Sequence, residues 1–274
     1  MIMSWLFSAC LVYLSSCSKK YVDPGPQLTG ASKQFALAAK SNSGVSGTVT
    51  FAKRSDNATV ITVQLTGTQA GGTHPAHIHA NTAVEGGGIL LDFTPVDGAT
   101  GKSETVAKAL NDGTPVTYED LLAFNGYVNV HASSSDLGTL IAQGDIGQNE
   151  LTGVNKVYTL NPVSDPSISG TATFAARKSG FTLITLSLTG TTAGGDHPAH
   201  IHMNNASAGG AIVLDLANVN GATGKSVKSV TQLNDGTAIT YAQLIVFNGY
   251  VNVHLSAASL GTLIAQGNIG SNAP

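Results

Sequence analysis

The chain has 274 residues, of which 42% are hydrophobic and only 11% charged, and its formal net charge is −3. That apolar share is enough for packed cores and excludes wholesale disorder. The low charge and 32 glycines favour an extracytoplasmic β protein with tight turns over a long-helix protein. Phosphate binding by counterion release needs clustered Lys and Arg, and with no basic stripe in the sequence a nucleic-acid partner is not expected.

The first element in chain order is the apolar run from Ile2 to Leu14. It is too short to cross a hydrocarbon core of about 30 Å, and residues 1–16 read as a signal peptide. The run ends Leu14-Ser15-Ser16-Cys17, which resembles the bacterial lipobox. That resemblance implies cleavage before Cys17 and diacylation of its thiol, although no Lys or Arg precedes the apolar run. Residues 17–30, with Ser18-Lys19-Lys20 and a Pro/Gly tract, then read as the tether from a lipid anchor. The expected location is the cell envelope of a bacterium, anchored by lipid to the outer membrane, or secreted. Cys10 and Cys17 are the two cysteines, so neither later domain contains a disulfide or a thiolate metal site.

Beyond the tether the sequence repeats itself. HPAHIH begins at His74 and again, 123 residues on, at His197, and FNGYVNVH begins at Phe124 and at Phe247 with the same offset. Gly47/Gly170 and Phe51/Phe174 keep that register, so each unit is a whole domain and not a short solenoid repeat. The copies are placed at 31–148 and 154–271, with a linker around Glu150-Leu151-Thr152-Gly153.

Within a copy, Thr59–Leu65, Ile89–Phe93 and Tyr127–His131 read as strands. Gly86-Gly87-Gly88, Asp97-Gly98, Asp112-Gly113 and Asn125-Gly126 read as turns. The helical candidate is the short segment Thr117–Leu122, whose partner Thr240-Tyr241-Ala242-Gln243 has the form of a capping box. Many short strands without βαβ alternation predict an all-β fold: two tandem antiparallel Greek-key sandwich or barrel domains, immunoglobulin-like or superoxide-dismutase-like.

All eight histidines belong to the repeat: His74, His77, His79 and His131, and their counterparts His197, His200, His202 and His254. Alternate residues of a strand share a face. His77 and His79 therefore project together with Ile78 turned to the core, and Tyr127, Asn129 and His131 share one face opposite Val128 and Val130. Two imidazoles on one strand and a third on a neighbour form a nitrogen set suited to copper or zinc, with His74 as a possible fourth ligand. A hydrogen-bonded network of buried imidazoles is the competing reading. Asp92 and Asp215 sit at strand ends, where a turn hydrogen bond is the ordinary role and orientation of a ligand histidine the sharper one. Met203 follows His202 but is Ala80 in the first copy and is not counted. No nucleophile elbow, phosphate loop or dinucleotide fingerprint is present.

The segment His74–His79, the Leu91-Asp92 pair, Tyr127–His131 and Leu137-Gly138-Thr139-Leu140-Ile141-Ala142-Gln143-Gly144 together resemble the CHRD domain, a family named from the extracellular protein chordin. The resemblance covers essentially each copy. It departs where that family usually has an Arg just before the final Gln, here Ala142. Membership implies an immunoglobulin-like or superoxide-dismutase-like β-barrel and an extracytoplasmic role, without a general activity. A weaker similarity is to copper–zinc superoxide dismutases, in which His77, His79 and His131 would match three copper ligands. No bridging histidine between His79 and His131, no zinc loop and no Arg in 138–147 accompany them. The functional expectation is a membrane-anchored tandem binding or scaffold module, displayed to an extracellular protein or glycan and possibly metal-stabilised. A copper-dependent redox enzyme or a metal-scavenging lipoprotein is the alternative.

Overall fold

The computed structural model describes residues 24–273. The signal segment and Cys17 lie outside the described residues. Among them, no helix is long and apolar enough to cross a membrane.

The first copy runs β1 (Leu28–Ala39), β2 (Ser46–Arg54), β3 (Thr59–Thr66), β4 (Thr73–His74), β5 (Ala76–Ala80), β6 (Ile89–Asp92), β7 (Val96–Asp97), β8 (Lys102–Ala107), α1 (Tyr118–Ala123), β9 (Asn125–Ser133) and β10 (Asp136–Gly147). The second copy repeats this from Leu151 to Gly270, with a one-turn 3₁₀ segment added at Ala257–Ser259. Each copy is one curled antiparallel sheet of ten strands, in the order β4-β7-β8-β3-β2-β1-β10-β9-β5-β6. β1 forms the corner: it pairs with β2 over most of its length and with β10 at Ala38 and Ala39. The all-β sandwich expected from the repeat pattern is therefore present twice.

The two layers meet over an apolar core. Phe51, Leu37, Ile61, Ile78, Leu121 and Ile146 are fully buried, and so are their counterparts Phe174, Leu160, Ile184, Ile201, Leu244 and Ile269. Alternation along β5 and β9 puts Ile78, Val128 and Val130 into that core at 0% exposure. Both helices form as expected. Thr117 caps α1 in a reciprocal box with Asp120, and Thr240 does the same with Gln243.

Two segments differ from the sequence expectation. β1 begins at Leu28 and its equivalent at Leu151, inside stretches read as tether and linker. The reason is a bulge. Pairing with β2 shifts between Leu28 and Ser32, where Gly30 takes φ +91°, and the equivalent Gly153 takes +84°. Asn125-Gly126, read as a turn, instead opens β9 and pairs with Gly147 and Ile146. A side chain at Gly126 would press to 3.0 Å against the carbonyl of His79, so the glycine serves the close approach of β5 and not a reversal.

Because Phe51 lies at the centre of the first core, Phe51→Ala should cost about 3–5 kcal/mol of stability. Urea unfolding monitored by circular dichroism checks this, and a loss below about 1 kcal/mol would contradict the assigned core.

Candidate functional site

β5 lies between β6 and β9, and the register of those pairs builds the site. His77 pairs with Asp92 on one side and Asn129 on the other, and His79 pairs with Ile89 and Tyr127. β10 extends the first row, because Asn129 also pairs with Gln143. The outer face thus carries a transverse polar row, Asp92–His77–Asn129–Gln143, with His79 and His131 beside it. The second copy repeats the row as Asp215–His200–Asn252–Gln266.

His77, His79 and His131 converge. Each offers one ring nitrogen, and the three lie within 4.8 Å of one another; His200, His202 and His254 do the same. His77 Nδ1 is 3.2 Å from His131 Nε2, and His200 Nδ1 is 3.0 Å from His254 Nε2. A tetrahedral ion with nitrogen ligands at about 2.0–2.1 Å needs donors about 3.3 Å apart. One pair in each triad already has that spacing, and the third nitrogen lies within 4.8 Å of both.

The nitrogens turned away from the centre are held. His79 Nδ1 donates to the Gly87 carbonyl at 3.0 Å, and His131 Nδ1 to the Leu137 carbonyl at 2.7 Å. His77 Nε2 faces the Asp92 carboxylate at 3.6 Å. The counterparts are Gly210 at 2.9 Å, Leu260 at 2.6 Å and Asp215 at 3.7 Å. Such outer partners set the tautomer of a ligand histidine and aim its lone pair. The Gly87 amide also donates to the Tyr127 hydroxyl at 3.1 Å, and the Tyr127 ring stacks on His79. The loop between β5 and β6 is thereby pinned against His79, which is only 8% exposed on an outer face, and His131 is 6% exposed.

The fourth histidine stands apart. The chain passes from β4 in one layer to β5 in the other at Pro75. His74 ties that crossing to the end of β9: its Nδ1 donates to the Ala132 carbonyl at 2.8 Å. Its Nε2 is buried without a hydrogen-bond partner, packed where a side chain on Gly72 would come within 2.8 Å. His197 does the same with Leu255. The structure therefore brings His77, His79 and His131 together with Asp92 beside them, and gives His74 the work of holding the layers. The same division holds for His200, His202, His254, Asp215 and His197.

Asn129 and Gln143 had no assigned role in the sequence reading. Gln143 donates to the Asn129 side-chain oxygen at 2.9 Å, which leaves the Asn129 amide 3.5 Å from His79 Nε2. The shared-face rule places Asn129 with the histidines, but its neighbour on β10 depends on a pairing that one segment cannot reveal. The orienting carbonyls of Gly87 and Leu137 are main-chain groups and leave no signal in residue identity.

His77 and His131 are pushed below the ordinary histidine value of 6.5. Burial is the main cause for both. For His77, repulsion from a charged His131 follows, opposed by Asp92. For His131, the Leu137 carbonyl opposes the burial effect and a charged His79 adds to it. His200 and His254 shift the same way. Burial thus favours the neutral form of His77, His131, His200 and His254. A histidine depressed in the folded state binds its proton first in the unfolded chain. Its stabilising contribution is complete above about pH 6.5 and is lost as pH falls through the lower folded value. Chelator-treated protein should therefore melt at a progressively lower temperature between pH 7.5 and 5.5. His77→Asn/His131→Asn should flatten that dependence, and an equal slope in the variant would contradict it.

Residues 27–140 match the family described as CHRD domain. The first copy is therefore a CHRD domain, and the second presents the same motifs in the same register. Comparisons with curated proteins and with solved structures gave no match.

Proposed function

We propose that this CHRD-domain chain is an exported two-site metal-binding module, each copy taking one copper or zinc ion through its histidine triad. One observation supports the reading most. In each triad the outward nitrogens of all three rings face acceptors, which leaves one further nitrogen on each ring, the three within 4.8 Å of one another. Without an ion, His77 Nδ1 must carry its proton to satisfy His131 Nε2. With one, that proton would sit on Nε2, which faces the Asp92 carboxylate at 3.6 Å. Three protein nitrogens leave a fourth position for water or a partner's donor group.

Binding is favoured over superoxide turnover by the charges beside the triads. Asp92 and Asp215 face His77 and His200, and Asp136 acts electrostatically on His131. Carboxylates attract cations and repel an anionic substrate. With Cys17 as lipid attachment point, the module would stand at the cell envelope, its two sites offered to an extracellular protein or glycan.

Untagged protein loaded with Cu(II) or Zn(II) and freed of excess should retain two equivalents per chain. His77→Ala/His131→Ala should retain one, and the variant extended to His200 and His254 none, while His74→Leu keeps both. Retention of no stoichiometric metal by the wild type would defeat the proposal. Asp92→Asn and Asp215→Asn remove the carboxylates facing His77 and His200, and should weaken metal affinity about 10–100-fold. Competition with a chromophoric chelator measures this, and unchanged affinity would show that the carboxylates do not orient the rings.

A further inference from the structure

The two copies keep a constant offset of 123 residues, so positions where they differ can be compared atom by atom. At the junction they differ in a coordinated way. Arg54 and Arg177 are equivalents. At the outer end of the first copy, Arg54 is satisfied locally: Nε and Nη2 bond the two Asp56 oxygens at 2.7 and 2.8 Å, and Lys108 joins at 2.8 Å. In the second copy Asp56 is replaced by Ser179 and Lys108 by Thr231. Arg177 instead turns to the first copy. Its Nη1 donates to Asp145 at 2.7 Å and to the Asn149 carbonyl, and its side chain is 1% exposed.

The acceptor side differs as well. Asp145 has Asn268 as its counterpart. Both perform the same local task, accepting the Ala83 amide at 2.8 Å and the Ala206 amide at 2.9 Å. The negative charge of Asp145 is therefore unnecessary to the fold of a copy, and the junction is where it is used. Glu150 repeats the pattern. It bonds Lys33 at 2.7 Å and Lys178 at 2.9 Å, whereas the counterpart of Glu150 is Ala273 and that of Lys178 is Ser55.

We infer that the two copies form one rigid head-to-tail pair, locked by the buried Arg177–Asp145 contact and self-terminating. The outer ends present a neutralised Arg54 and an uncharged Asn268, so neither end offers a further chain what the junction offers. The lock is firm because Arg177 Nε and Nη2 have no other partner. Asp145 and Asn149 supply all the compensation for a buried charge, and removing one partner of such a pair is strongly destabilising. The consequence is a fixed separation between the two triads, which governs whether both engage one partner at once. This inference does not rest on either triad holding metal.

The test uses the metal-free full chain. NMR relaxation should give both copies one common tumbling time, small-angle scattering a single compact pair, and sedimentation velocity a monomer. Asp145→Asn/Glu150→Ala places at each position the residue that the second copy carries, so each copy keeps its fold. That variant should give each copy a shorter tumbling time, approaching that of a body half the size, with a larger radius of gyration. Separate tumbling in the wild type, or a variant indistinguishable from it, would refute the lock. Concentration-dependent chains of wild-type molecules would refute self-termination. Arg177→Ala with each copy's circular dichroism retained should reproduce the loosened state.

Discussion

The antiparallel register between β5 and β9 is the constraint on which both triads depend. It sets His77 opposite Asn129 and His79 opposite Tyr127, and it brings His131 to the end of the strand where Pro75 crosses between layers. A slip of one residue would turn every side chain of β5 over, sending the imidazoles into the core and Ile78 to solvent. The core therefore enforces the site. Ile78, Val128 and Val130 cannot leave the interior without exposing large apolar surface, so the histidines between them are held outward by the same term that stabilises the domain.

An outward face is ordinarily wet, and the triads are not. The loop after β5 folds back against His79, pinned at Gly87 through both its amide and its carbonyl. Burial of the rings pushes His77 and His131 toward the neutral form. It also makes each ring's hydrogen bonds matter, since a buried polar atom left unpaired carries its full desolvation cost. His74 shows the contrast. It satisfies one nitrogen on Ala132, leaves the other against Gly72, and faces no other imidazole. Its work is closure of the two layers.

What was legible in the sequence follows the range of each interaction. Alternation is local, so the common face of His77 and His79 and the inward turn of Ile78 could be read from five residues. The helix caps at Thr117 and Thr240 are local too. That His131 meets His77 required neighbouring strands, which the repeat suggested but pairing alone decides. Gly30 closes a Pro/Gly tract that reads as tether and Asn125-Gly126 has the letters of a turn, because a glycine in a bulge or a close strand approach carries no mark of its own. The carbonyls of Gly87 and Leu137 were invisible for a different reason: every residue has one, and only the fold selects which is aimed at an imidazole.

The two copies also show which parts of the domain are shared and which depend on position in the chain. The polar rows Asp92–His77–Asn129–Gln143 and Asp215–His200–Asn252–Gln266 are the same residue for residue, and the site distances agree within a few tenths of an ångström. Charges at the ends are not shared: Asp56, Asp145 and Glu150 have the uncharged counterparts Ser179, Asn268 and Ala273. A side chain in the row answers to neighbours within its own copy, so the same geometry demands the same residue twice. A side chain at an end answers to whatever lies beyond the copy, and at the junction that is the other copy. An asparagine suffices for the local amide bond at Asn268, whereas the buried Arg177 guanidinium requires a carboxylate at Asp145. The difference between the ends thus records the junction, and the sameness of the rows records that each copy's site is complete in itself.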